Sequence, residues 1–347
     1  MSFVAPPGYQ PIYGPNIPYL GPIHGGLREG VSIYIQGSIP EDITRFYINL
    51  LCGESESSDL ALHFNPRFDG WDKVVFNSCE GGSWGSEHKT HDMPFCKGKA
   101  FEMVILATSR GYEIKVNGND FDTFEHRLPV ERVCAMQIAG DVRIQTINVI
   151  GGGYQGGMGG DMGGGMGGGM GGGMGGGMGG GMGGGYPGGM GGGMGGGFPG
   201  SNLPGMAGQP VYNPPIPYSN MIPGGMYPKR TIIIRGMLPY GADTLCINFL
   251  VSRSRDIAFH MNPRVREGVV VRNSMIGGTW GQEDREMNMN PFMEGQYFDM
   301  SIRCGNQRFK VFVNGQHLFD FVHRLQSFNE VDMLEIDGDV QISYIHF

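Results

Sequence analysis

Paired-cysteine motifs, glycosylation sequons, membrane-length apolar runs and basic runs are all missing from this chain, and each absence removes a class of protein. The six cysteines, Cys52, Cys79, Cys96, Cys134, Cys246 and Cys304, include no C-x-x-C pair. Cys52, Cys134, Cys246 and Cys304 sit in or beside apolar, strand-like runs, so they read as reduced core residues or partly exposed thiols rather than a disulfide frame. The opening stretch MSFVAPPGYQPIYG has neither a basic start nor a continuous apolar run, so it does not read as a signal peptide. No segment approaches the length of a membrane-spanning helix, which excludes membrane insertion by that route. The formal net charge is −8, and a protein that tracks phosphates needs a basic footprint, so nucleic acid is not an expected partner. Acids or Cys/His residues clustered for a metal are lacking too, and no cofactor is implied. No convincing amphipathic helix can be traced.

What the chain has in excess is glycine, 64 residues in all. Most lie between Gly151 and Gly200, where the unit GGGM recurs with a lone Asp161 and short YPG and FPG breaks. Such a tract has little apolar bulk and much backbone entropy to lose, so it is expected to stay unfolded as a spacer. A Gly-rich stretch of about 55 residues has an r.m.s. span of roughly 40 Å. On either side the same sequence occurs twice in matched order. PIYGPNIPY from Pro11 pairs with PVYNPPIPY from Pro210, ALHFNPR with AFHMNPR, SWGSE with TWGQE, and VNG, HRL and GDV each recur. The expected organisation is a domain over 1–150, a flexible Gly/Met-rich linker over 151–209 and a second copy of the domain over 210–347.

Within each copy the grammar is that of β-structure. Phe46–Leu51, Leu245–Leu250, Phe101–Ala107, Tyr112–Gly118 and Phe309–Gly315 read as strands. Asn117-Gly118 and Asn314-Gly315 are two-residue hairpin signals, because both residue types tolerate positive φ. Many short strands with frequent turns predict an all-β fold, two antiparallel sandwiches or jelly rolls.

One constellation carries chemistry. In His63-Phe64-Asn65-Pro66-Arg67, strand periodicity turns His63, Asn65 and Arg67 to one face and Phe64 to the core. Pro66 cannot donate to a ladder, so the strand should be near an edge, a bulge or its end. His260, Asn262 and Arg264 repeat the set around Met261 and Pro263. Downstream follow Asn77, Trp84, Glu87 and Lys89, matched by Asn273, Trp280, Glu283 and Arg285. Trp84 and Glu87 are an odd offset apart, and Gly85 allows the turn or bulge that would bring them together. The set suits a sugar with one apolar face, which rests on a Trp ring, and an axial hydroxyl, which Arg, His and Asn can bond.

H-x-N-P-R, then an Asn, then W-G-x-E-x-R, resembles the carbohydrate signature of the galectins, and it occurs twice. The Tyr/Pro-rich start and RFKVFVNGQHLFDFVHRL make the chain most similar to the intestinal type of tandem-repeat galectin. The resemblance implies the jelly-roll fold, metal-free binding of β-galactosides on glycoproteins and glycolipids, cross-linking through two sites, and cytosolic synthesis with export independent of a signal peptide. It implies as contacts His63, Asn65, Arg67, Asn77, Trp84, Glu87, His260, Asn262, Arg264, Asn273, Trp280, Glu283 and Arg285. Lys89 departs from it, standing where the signature has Arg and losing the planar fork that can bind Glu87 and a hydroxyl together. Trp71 reads as loop packing, and His126 and His323 in the HRL repeats as structural turn residues. Two other readings stay open: a structural or protein-binding sandwich that takes no sugar, and a glycoside-processing enzyme. The enzyme is disfavoured because each copy fixes only one Glu, where a glycosidase needs two carboxylates.

Overall fold

Strand Leu60–Arg67 shows how this sequence builds its sheets. Leu62 and Phe64 are fully buried, whereas His63 and Arg67, on the opposite face, remain partly accessible. The register sets Phe64 opposite Ile48 on one side and Phe76 on the other. The Phe64 ring meets Phe76 at 5.3 Å and Phe95 at 6.2 Å, both edge-on. Truncating so buried a phenyl ring typically costs about 3–5 kcal/mol, so one face of this strand is committed to the core. Pro66 is the penultimate residue of the strand, where its missing N–H costs least.

The computed structural model describes residue 5 and residues 9–151, 210–287 and 289–347. Residues 152–209, which hold the GGGM tract, lie outside the described residues. The strands make two sandwiches of antiparallel sheets, and among the described residues the only helices are the single 3-10 turns Val130–Arg132 and Phe328–Glu330. In the first sandwich one sheet runs in the order Tyr19–Pro22, Ala135–Gly140, Phe46–Leu51, Leu60–Arg67, Lys73–Glu80, Ser83–Trp84, with His88–Thr90 also paired to Lys73–Glu80. The facing sheet runs Tyr9–Tyr13, Arg143–Ile150, Ser32–Ser38, Ala100–Ala107, Gly111–Val116, Asn119–Glu125. The second sandwich repeats this plan from Val211 to His346. Asn117 and Gly118 adopt φ of 52° and 80°, and Asn314 and Gly315 51° and 77°, the positive values that the Asn-Gly hairpins demand.

Each sandwich has its own apolar core, one built around Phe46, Phe64, Phe76 and Phe101, the other around Phe249, Phe259, Phe298 and Phe309. A third cluster joins Tyr9, Tyr34 and Ile150 of the first sandwich to Ile233 and Tyr344 of the second. All five lie on the sheets that do not carry the H-x-N-P-R strands. Those two sheets therefore pack on each other, and the sheets with Leu60–Arg67 and Ile257–Arg264 are the outermost of four layers. All six cysteines are free thiols, Cys304 buried and Cys96 exposed.

Candidate functional site

The outward faces of Leu60–Arg67 and Ile257–Arg264 carry the two copies of the candidate site. His63 Nδ1 lies 2.6 Å from Asn49 Oδ1, and His260 Nδ1 lies 2.6 Å from Asn248 Oδ1. Asn49 is oriented by its own amide, which donates to Gln137 Oε1 at 3.0 Å. An amide oxygen only accepts, so each His carries its proton on Nδ1 and leaves Nε2 as a free acceptor. Burial, helped by the charge on Arg67, pushes the His63 pKa down to about 4. Burial and Arg264 lower His260 in the same way. Both rings are thus neutral acceptors at neutral pH.

Beside each imidazole stands the tryptophan. His63 and Trp84 have ring centroids 5.0 Å apart, and His260 and Trp280 4.8 Å apart, both near edge-on. Trp84 and Trp280 are 56% and 48% exposed, a large apolar surface left open next to polar groups. Trp71 is also exposed, but it stacks on His91 at 4.1 Å and belongs to a loop.

The two asparagines of each motif are fittings rather than free hands. Asn65 donates to Phe46 O at 2.7 Å and accepts Arg67 Nε at 2.8 Å. Asn262 makes the same pair with Leu245 O and Arg264 Nε, at 2.8 and 2.9 Å. Each arginine is thereby aimed; among the described residues Arg67 makes no ion pair, whereas the terminal nitrogens of Arg264 stand beside Glu267 and Glu283. Asn77 donates to Gly85 O at 3.0 Å, and its Oδ1 accepts Ser78 N and Arg127 Nη1 at 2.8 and 3.0 Å. One amide hydrogen remains for a ligand.

Gly85 answers the offset between Trp84 and Glu87. A Cβ there would sit 2.8 Å from Arg127 Nη1 and 3.2 Å from Asn77 Oδ1. Only glycine lets this backbone close over the Asn–Arg pair. Gly281, Arg324 and Asn273 repeat the arrangement, with a Cβ 2.9 Å from Arg324 Nη1. Arg127 and Arg324 are the residues that motif reading passed over. They come from the repeated HRL, in which the histidines drew the attention. His126 and His323 instead bond carbonyls of neighbouring turns, Thr108 O at 2.7 Å and Gly305 O at 2.9 Å.

In the second site four charges close a ring. Arg285 pairs with Glu283 at 2.8 Å and Glu267 at 3.3 Å, and Arg264 with Glu267 at 3.4 Å and Glu283 at 3.9 Å. Glu267 is a second carboxylate that the motif did not announce. In the first site Glu87 acts electrostatically on His63, while Lys89 stands opposite Val75 in a short paired strand. Among the described residues no ion pair joins Arg67, Glu87 or Lys89. His88 and Asp284, in the variable slot, bond Asp122 at 2.8 Å and Arg324 at 3.1 Å.

Comparison with known proteins supplies the family. The model of the galactoside-binding lectins matches residues 18–149 and again 217–347. Galectin-4 of Sus scrofa is 50% identical over 345 residues, spanning 99% of both chains. Galectin-4 of Homo sapiens is 47% identical with the same coverage, and galectin-8 of Rattus norvegicus 31% identical over 95% of each chain. Two matched domains, in a chain whose relatives align from end to end, make this protein a tandem-repeat member of the galactoside-binding lectins, the galectins, most similar to galectin-4.

Proposed function

We propose that each domain takes one β-galactoside and that the chain, with two such sites, cross-links glycoproteins and glycolipids. The observation that supports this most is the recurrence of one open constellation, neutral His, aimed Arg and exposed Trp, on equivalent faces of both domains. The C–H face of galactose rests on Trp84 or Trp280, a packing worth about 0.5–1.5 kcal/mol beyond burial. The axial O4 donates to His Nε2 and accepts from the aimed Arg. Glu87 or Glu283, with the remaining amide hydrogen of Asn77 or Asn273, serves the neighbouring hydroxyl. Each bond to a charged partner contributes about 1.5–3 kcal/mol net, and an equatorial O4, as in glucose, leaves those groups unpaired.

Binding rather than hydrolysis fits the carboxylates. Glu267 and Glu283 both pair with Arg285, at 3.3 and 2.8 Å, whereas a glycosidase sets two carboxylates to flank the scissile bond. We take the domains as 1–150 and 210–347 with 151–209 as linker. The glycans are reached outside the cell by export independent of a signal peptide. Among the described residues no helix is long and apolar enough to cross a membrane. Retention on lactose-agarose in the presence of EDTA, with elution by lactose and not by sucrose, tests the reading. Passage through the column unretained would overturn it.

A further inference from the structure

The two domains meet through a buried polar cluster that sugar binding does not require. Gln36 and Glu102 are cross-strand neighbours in the first domain, and Arg235 and Asp299 are cross-strand neighbours at the equivalent place in the second. Arg235 is fully buried and lies 3.2 Å from Asp299 and 3.6 Å from Glu102 of the other domain. Gln36 donates to Glu102 at 2.7 Å and to Phe298 O, across the boundary, at 3.4 Å. Tyr9 of the first domain donates to Asp299 at 2.6 Å, Gln145 to Tyr297 O at 2.9 Å, and Tyr297 to Asn117 at 3.0 Å. Around them pack Tyr34, Ile150, Ile233 and Tyr344.

The charges select the pairing. Two first domains packed this way would put Gln36 in the place of Arg235 and bury both copies of Glu102 without that guanidinium. The unlike pair gives Glu102 the guanidinium of Arg235, and such a penalty on the wrong partner is how interfaces gain specificity. The equivalent sheets face each other, so the H-x-N-P-R strands lie on opposite outer faces of the four layers.

We propose that the two domains of one chain dock through these sheets into a single body whose sugar sites point in opposite directions. The chain then bridges two surfaces that face each other and does not clasp two glycans on one surface. The docking stands independently of the sugar chemistry; its consequence for bridging rests on the two-site reading above.

The test is to place a protease site within residues 155–199, cleave the purified protein, and follow the halves by size exclusion with light scattering. Docking predicts that the uncleaved chain runs as a monomer of 37.7 kDa and that the cleaved halves co-elute as one 1:1 species. Arg235→Glu, or Tyr34→Glu from the other face, should separate the halves while each is still retained on lactose-agarose, which reports that it is folded. On a single lactose-coated surface the intact chain should dissociate within about threefold of a one-site variant. Arg235→Glu should free the sites to bind side by side and slow dissociation towards the gain of about 10²–10⁴ that a flexible tether permits. Separate elution of wild-type halves, or a dimer of uncleaved chains, would overturn the docking. Single-surface avidity in the wild-type chain would overturn its consequence, whereas failure of both halves to bind lactose would strike the lectin reading and leave co-elution to judge the docking.

Discussion

In the second domain Arg264, Glu283, Arg285 and Glu267 hold one another in a ring with four contacts between 2.8 and 3.9 Å. In the first, Arg67 is aimed only by Asn65, and Lys89 replaces the second arginine. The loop that supplies Glu267 differs as well. Ten positions separate Arg67 from Asn77 and nine separate Arg264 from Asn273, and the longer loop carries Gly70 and Trp71. Of its two acids, Asp69 is drawn away to Arg45 at 2.6 Å, and among the described residues Asp72 makes no ion pair with the site. The same skeleton of His, Asn, Arg and Trp is thus braced by charge in one domain and by neutral hydrogen bonds in the other. A pre-set guanidinium loses less freedom on meeting a hydroxyl, so the second site should be the stronger and more selective.

The largest test removes one member of the comparison. In the full chain Arg264→Ala or Trp280→Ala should lower the calorimetric stoichiometry for lactose from two sites to one. Both side chains stand on the solvent face, so thermal stability should change by no more than about 1 kcal/mol. A variant that unfolds would show that this face is architecture.

A smaller effect should come from acid. Only the neutral His63 ring offers Nε2 as an acceptor, and its pKa is pushed down to about 4. In an Arg264→Ala background, first-site affinity should hold from pH 7 to 5 and then fall about tenfold per pH unit below that pKa. The sign follows from the protonated ring being a donor at both nitrogens. A loss centred near the ordinary histidine value would mean that the ring is not desolvated.

Next in size is the brace common to both sites. Arg324→Ala removes bonds to Asn273 at 2.9 Å and Asp284 at 3.1 Å, so second-site affinity should fall about 5- to 30-fold, an effect of about 1–2 kcal/mol. Arg127→Ala, which loses Asn77 and Ser86 O, should do the same to the first. Equal binding by these variants would remove the arginines from the account.

The smallest change should be Lys89→Arg. It restores a planar fork beside Glu87 but finds no counterpart of Glu267, so first-site affinity should rise by no more than about tenfold. Glycan profiles of the two sites, read in Arg67→Ala and Arg264→Ala chains, should move closer but not merge. Identical profiles before the substitution would show that lysine does the work of the fork.

Much of this was legible in the sequence because it is periodic or repeated. The alternation about Phe64, the Asn-Gly turns and the two H-x-N-P-R runs each carry their meaning within a few residues. Asn49, Arg127 and Glu267 do not, since each reaches the site from a different strand or loop and is unremarkable in its own neighbourhood. Gly85 could be read as a bend but not as the space Arg127 needs. The inter-domain face was hidden for another reason. Gln36, Glu102 and Arg235 occupy the outward, polar positions of ordinary strands, and only the packing of two sheets turns them inward.

The central claim, two β-galactoside sites on one chain, is tested most directly by titrating the intact protein with lactose in a calorimeter in the presence of EDTA. The account predicts saturable heat at two sites per chain, with Kd between about 1 mM and 1 μM as shallow, wet sites typically give, and no change when EDTA is omitted. A stoichiometry of one, absence of heat, or binding that EDTA abolishes would contradict it.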